Sequence, residues 1–189
     1  AMPESYTNIF NSTVTTNVTD LPWYALGAGG GLIGSMNTLA GMIRQYFQGD
    51  FLDNTADLDI LLSEYYFSMA TRKKVQDITT DCPEACYGLG IEARSNDQLG
   101  VIFTYHGEPI GYETVYVHIP CYDFTLTISV NGAYISPTNH LLDYAALDML
   151  LLLYKEHPHY FSEQVNPKFC PKSQPGTLPS NVAGFLSQQ

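Results

Sequence analysis

Between Tyr87 and Val130 the chain is a succession of short runs rich in β-branched and aromatic residues, and this stretch does most to limit the fold. Tyr87 to Ala93 alternates and stops at the turn-like cluster Arg94-Ser95-Asn96-Asp97. Gly100 to His106, Tyr112 to Ile119 and Asp123 to Val130 follow, the last closed by Asn131-Gly132. Short runs of this composition with turns between them predict an antiparallel meander. Helices are predicted on either side of it. Ser35 stands as an N-cap ahead of Met36, Leu39, Ala40, Ile43, Tyr46 and Phe47, spaced by three and four, and Gly49 closes the pattern. A weaker helical pattern covers residues 55–70, and Thr71 to Glu84 reads as polar loop. From about Pro137 to Lys155 runs a helix apolar nearly all round, which predicts burial on more than one side. The expected class is α+β, an antiparallel β-sheet of three or four strands flanked by helices at 35–48 and 137–155.

The flanks of this unit carry less pattern. Residues 1–22 read as an extended surface segment, and Ala1-Met2-Pro3 as a processed start rather than a natural beginning. The tail from about 157, with five prolines, reads as irregular chain wrapping the surface. No linker divides the chain, so residues 1–189 are expected to form a single unit.

Charge narrows the partners. Nineteen acidic against eight basic side chains leave a net charge of −11, which disfavours nucleic acid and acidic membrane surfaces. Arg72-Lys73-Lys74 is the only basic run and reads as a solvated loop. No membrane span is expected: the most apolar stretch, Leu141 to Tyr154, holds Asp143 and Asp148 and falls short of the about 20 residues needed.

Few residues suggest chemistry. Cys82, Cys86, Cys121 and Cys170 permit three pairings; a local Cys82–Cys86 bridge is geometrically open and would leave Cys121 for Cys170. Free buried thiols and a zinc site are the other readings, the last on poor ligand spacing. Asn11 and Asn17 match the glycosylation pattern, and with possible disulfides they favour an extracytoplasmic location. Gly29-Gly30-Gly31-Leu32-Ile33-Gly34 matches a dinucleotide fingerprint only formally, because no βαβ unit surrounds it. His157 and His159 read as a solvated pair, and Asp57, Asp59 and Glu64 as a polar helix face. Neither cofactor nor metal is expected.

A set of motifs carries a family resemblance. The segment Gly30 to Ala40 resembles G-G-L-x-S-T-x-x-D-L-A, with departures at Gly34 and Thr38. Tyr87-Gly88-Leu89-Gly90 is similar to Y-G-L-G-W, with Ile91 in place of Trp. Tyr105 to Tyr112 looks like H-[ST]-G-x-x-x-G-[FY], Asn131 falls where a strand ends in asparagine, and Met2 to Tyr6 is similar to G-M-x-D-T-S-[YF]. In this order they resemble the C-terminal portion of the serine β-lactamase and penicillin-binding-protein-like family, which includes D-alanyl-D-alanine carboxypeptidases and related esterases. The resemblance covers roughly residues 2–155.

That resemblance implies half of a hydrolase fold, here a partial β-lactamase-like domain. The family draws its nucleophile and activating lysine from an S-x-x-K helix, and a proton-moving tyrosine from Y-x-N, both upstream of the segment resembling Met2 to Tyr6. No S-x-x-K occurs in this chain, and Tyr6-Thr7-Asn8 matches Y-x-N only by coincidence. No catalytic residue is therefore expected here. The substrate-holding third motif corresponds to Tyr105, His106 and Gly107, where a neutral tyrosine replaces the usual cation or imidazole. His106, shifted by one residue, should face the opposite side of its strand and act structurally. The readings that follow are part of a serine hydrolase, a non-catalytic relative that binds or builds, or an α+β protein unrelated to that family. On either of the first two, the missing half, or a second copy, is expected to pair with a bare sheet edge.

Overall fold

The computed structural model describes residues 4, 6–7, 14, 16–20, 33–107, 111–133 and 141–172. Its centre is a six-stranded antiparallel sheet in sequential order, with helices on both faces. The α+β class stands, but the sheet has six strands where three or four were expected. The two extra strands are β3 (Phe67–Ser68) and β4 (Cys86–Tyr87), each two residues long. A strand that short has no alternation to read, and pairing alone defines it.

The stretch expected as one strand from Tyr87 to Ala93 is in fact a reversal. Gly88-Leu89-Gly90 turns the chain, Gly90 at φ +83°, and the Gly88 amide donates to the Ile91 carbonyl. Strand β5 (Glu92–Asn96) then runs through the residues read as a turn. The following strands lie close to expectation: β6 (Gly100–Gly107), β7 (Glu113–Ile119) and β8 (Phe124–Val130).

Helix α1 (Met36–Gln48) starts where Ser35 accepts from the Thr38 amide, and Gly49 ends it at φ +85°. Helix α2 (Thr55–Ser63) is shorter than the pattern over 55–70 suggested. Tyr65 adopts φ +60°, which breaks the helix, sends Tyr66 fully into the core and starts β3. Helix α3 (Leu141–Glu156) covers the opposite face of the sheet from α1.

Period-two alternation thus builds two cores. Val101 and Phe103 join Ile43 and Phe47 of α1 on one face. Ile102, Val115, Val117 and Ile119 meet Leu142, Ala146 and Leu150 of α3 on the other. Tyr144, Met149 and Leu152 of α3 remain exposed, so this helix is buried on one side only, contrary to expectation.

The tail does more than wrap the surface. After two single-turn helices at Pro158–Phe161 and Pro167–Phe169, Phe169 enters the α1-side core while Cys170 belongs to the α3-side core. It crosses from one face to the other at Gly100, where φ is +81° and an added Cβ would run into the Phe169 carbonyl. No side chain but hydrogen admits that approach.

Near the start, β1 (Tyr6–Thr7) pairs with β2 (Thr16–Asn17) and, in parallel, with β9 (Gly132–Ala133). The segment read as featureless surface chain therefore joins a small second sheet, and the Asn131 side-chain amide donates to the Glu4 carbonyl. Among the described residues no helix is long and apolar enough to cross a membrane. The glycine cluster from Gly29 and the helix start near Pro137 lie outside the described residues.

Candidate functional site

The third-motif residues occupy the far end of β6. Its register with β7 sets Tyr105 against Tyr116, His106 against Val115 and Gly107 against Thr114. Tyr105 follows Phe103 onto the α1 side of the sheet, as alternation requires. Its ring is 44% exposed and lies 6.1 Å from that of Tyr87. A hydrogen bond between the two hydroxyls is the main cause that raises the Tyr87 pKa above the usual phenol value. Behind them the Tyr116 hydroxyl is pushed up, chiefly by burial, and the Glu92 carboxylate raises both Tyr87 and Tyr116, so the phenols stay neutral and no cation stands among them. Gly107 leaves open space: an added Cβ would meet only the Thr114 carbonyl, at 3.9 Å.

His106 points the other way. Its Nε2 lies 3.2 Å from Glu113 Oε1 and its Nδ1 3.9 Å from Asp143 Oδ2, with all three side chains largely buried. Glu113 belongs to β7 and Asp143 to α3, so the imidazole ties the helix to the sheet. It shares no face with Tyr105. The structure brings Tyr105 and Gly107 together and separates His106 from both.

Sequence reasoning missed a second histidine. His118 of β7 is 2% exposed, stacked on Phe47 with ring centroids 4.4 Å apart, and its Nδ1 is 2.9 Å from Thr125 Oγ1. Burial pushes its pKa down to about 4, against a smaller upward pull from Asp123 and a downward one from Arg44. A hydroxyl beside an imidazole suggests nucleophile and base, but this pair is sealed beneath α1 and the imidazole is a weak base. Its only signal in the sequence was the alternation Tyr116, His118 on the Phe103 face.

One serine also lies near a basic nitrogen. Ser63 Oγ is 3.4 Å from Lys168 Nζ, yet the ammonium pairs with Asp59 at 3.0 Å and the hydroxyl donates to the Asp59 carbonyl. The lysine is engaged by the Asp59 carboxylate, and the hydroxyl is not directed at it. Asp59 is thus a surface ion-pair partner, while His157 and His159 are exposed. Among the described residues no cluster of His, Cys, Asp and Glu has the geometry to hold a metal ion.

The cysteines form two disulfides, Cys82–Cys86 and Cys121–Cys170. The first closes the loop ahead of β4, and the second binds the tail to the turn ahead of β8. Both suit an oxidising compartment. Asn17 is exposed in β2, its side-chain oxygen accepting from the Thr19 amide and hydroxyl at 2.9 and 2.7 Å. Asn11 lies outside the described residues. Comparison with family models, curated proteins and solved structures returns no match.

Proposed function

We propose that this chain is the C-terminal part of a serine β-lactamase-related hydrolase, acting on a peptide, ester or lactam, and that it supplies one wall of the cleft but not the nucleophile. The observation that carries the reading is the ordered set of motifs and its fit to successive elements. The first resembling segment ends in α1, Tyr87 to Gly90 leads into the meander, and Tyr105 and Gly107 share the open end of β6. Asn131 follows β8, and α3 backs the sheet. Tyr105 would donate a neutral hydrogen bond to substrate where relatives of this kind hold a carboxylate with charge.

The sheet edge supports the same reading. Strand β8 carries seven residues without charge or proline, packs against α1 and α3, and among the described residues pairs only with β7. Such an edge lacks the usual protections against pairing. In this proposal an upstream part of the same fold pairs there, or failing that a second copy, in an extracytoplasmic compartment.

The alternative is a non-catalytic relative that binds or builds. It draws on one specific observation, His106 turned under α3 and a phenol in its place. Sequencing the coding region ahead of Ala1, and treating the longest natural product with labelled penicillin and an ester probe, separates the two. An upstream S-x-x-K and Y-x-N with the adduct on that serine is the expected result. Upstream sequence without S-x-x-K would leave only the binding reading. The 189-residue chain alone should remain unmodified. A stoichiometric adduct on one of its own serines would overturn the proposal, because acylation needs an activated nucleophile.

A further inference from the structure

At the opposite edge of the sheet from β8, strands β3 and β4 form a groove of about 460 Å³ lined by Tyr65, Phe67, Met69, Arg72, Tyr87 and Leu89. The five apolar side chains among these are between 38% and 55% exposed. A contiguous apolar patch of this kind, held against water, marks an interaction site.

The charges around it are unusual for this molecule. Of the eight basic residues, Arg44, Arg94, Lys155, Lys168 and Lys172 each pair with a carboxylate, on Asp123, Glu92, Glu156, Asp59 and Asp77. The three that remain are consecutive, Arg72, Lys73 and Lys74, and among the described residues none has an acidic partner. Arg72 lines the groove itself. Lys74 Nζ stands 5.5 Å over the Tyr65 ring, and Lys73 and Lys74 line an adjoining hollow that shares Ser68 and is also lined by Asp81 and Glu84, so Arg72 is the cation that faces the groove. Among the described residues these are the Lys and Arg side chains outside any ion pair, and they stand beside the aromatic groove. Two residues of the rim, Tyr65 and Arg72, both hold φ +60°. Backbone in that region is strained for a side chain other than glycine, and such positions cluster at ligand clamps.

We infer that this groove binds a small organic anion, one with a flat or extended apolar body and a single carboxylate or sulfonate head. The body lies against Tyr87, Phe67 and Leu89, and the head meets Arg72 with Lys73 and Lys74 adding to the local potential. The acidity of the rest of the surface disfavours a polyanion at this groove. The binding needs no nucleophile, so it stands or falls apart from the hydrolase reading.

The test is a fluorescence titration of the full chain at low ionic strength with 8-anilinonaphthalene-1-sulfonate, and in parallel with the uncharged N-phenyl-1-naphthylamine. Saturable one-site binding of the sulfonate is expected. The combined variant Arg72→Asn, Lys73→Gln, Lys74→Gln should weaken it about tenfold, as should raised salt, while the uncharged amine keeps its affinity. Leu89→Asp should weaken both probes. Absence of saturable binding would overturn the inference, as would equal loss of both probes in the triple variant. So would loss on Leu152→Glu, at the exposed face of α3, in place of Leu89→Asp. Photo-cross-linking of bis-ANS to the unaltered chain decides the matter should a variant misfold. Label between Tyr65 and Leu89 supports the site, and label between Tyr144 and Leu152 refutes it.

Discussion

His106 and His118 stand on neighbouring strands and face opposite ways. On the α3 side His106 lies between the carboxylates of Glu113 and Asp143, and on the α1 side His118 is stacked on Phe47. The same side chain is set beside carboxylates on one face and serves as a flat apolar filler on the other. The difference lies in the helices. α3 brings Asp143 down to the sheet, whereas the part of α1 above His118 brings a phenyl ring. Arg44 and Gln48, also on α1, reach past it to Asp123 at the turn before β8. What a histidine does is therefore set by what the opposing layer carries.

The two faces are joined by the tail, and the largest expected effect comes from cutting that join. Replacing Cys121 and Cys170 by alanine opens a link between residues 49 apart and should cost about 4 kcal/mol on the chain-entropy argument. The same change at Cys82 and Cys86, only 4 apart, should cost about 2 kcal/mol. Urea titrations of the two double variants check the order. Equal losses would mean that loop length does not set the cost of losing either bridge.

The next effect is the titration of His118. The folded pKa of His118, about 4, lies below its unfolded value of 6.5. Between these values the unfolded chain binds the extra proton, so stability falls as the solution is acidified through that window and the contribution is fully present above it. The shift corresponds to at most about 3 kcal/mol. His118→Phe keeps the stacking and removes the titration. It also strands the Thr125 hydroxyl, at a cost that does not vary with pH. Stability measured from pH 7 to pH 4 should lose the His118 part of its slope. A slope identical to that of the unaltered chain would move the titrating group elsewhere.

The smallest effect concerns the last anchor of the tail. Asp77 is held down to about 2, first by its hydrogen bond from Lys172 and then by Thr79. Its contribution is present above about pH 4 and is lost as the pH falls toward 2. Both side chains are well exposed, so screening leaves less than about 1 kcal/mol. Lys172→Met should raise the Asp77 pKa, visible by NMR titration, with almost no change in the urea midpoint.

Much of the molecule was legible because its signals are local. The Ser35 and Gly49 caps bound α1 to within a residue, since a cap needs only the first or last turn. Alternation along β6 and β7 was enough to send Tyr105 and His106 to opposite faces. The cysteine count narrowed the pairings to three, and the loop at Cys82 left one of them open to simple geometry. The missing S-x-x-K is also a fact of sequence alone.

Tertiary structure decided the rest, wherever the partner lies far along the chain. Strands β3 and β4 exist only by pairing, and α2 stops where Tyr66 is drawn into a core completed by Phe103 and Phe169. No local pattern could place Phe169 against Gly100, because that contact depends on where a proline-rich tail crosses the end of the sheet. The Arg72-Lys73-Lys74 run is the solvated loop that the sequence predicts, with all three side chains exposed, but what stands beside it was not legible for the same reason. Its meaning depends on five other cations being neutralised by distant or local carboxylates, and on the groove that Tyr87 and Leu89 build beside it. Sequence determines which side chains share a strand face or helix turn. The fold alone determines which of those faces meet, because burial and ion pairing act through space and not along the chain.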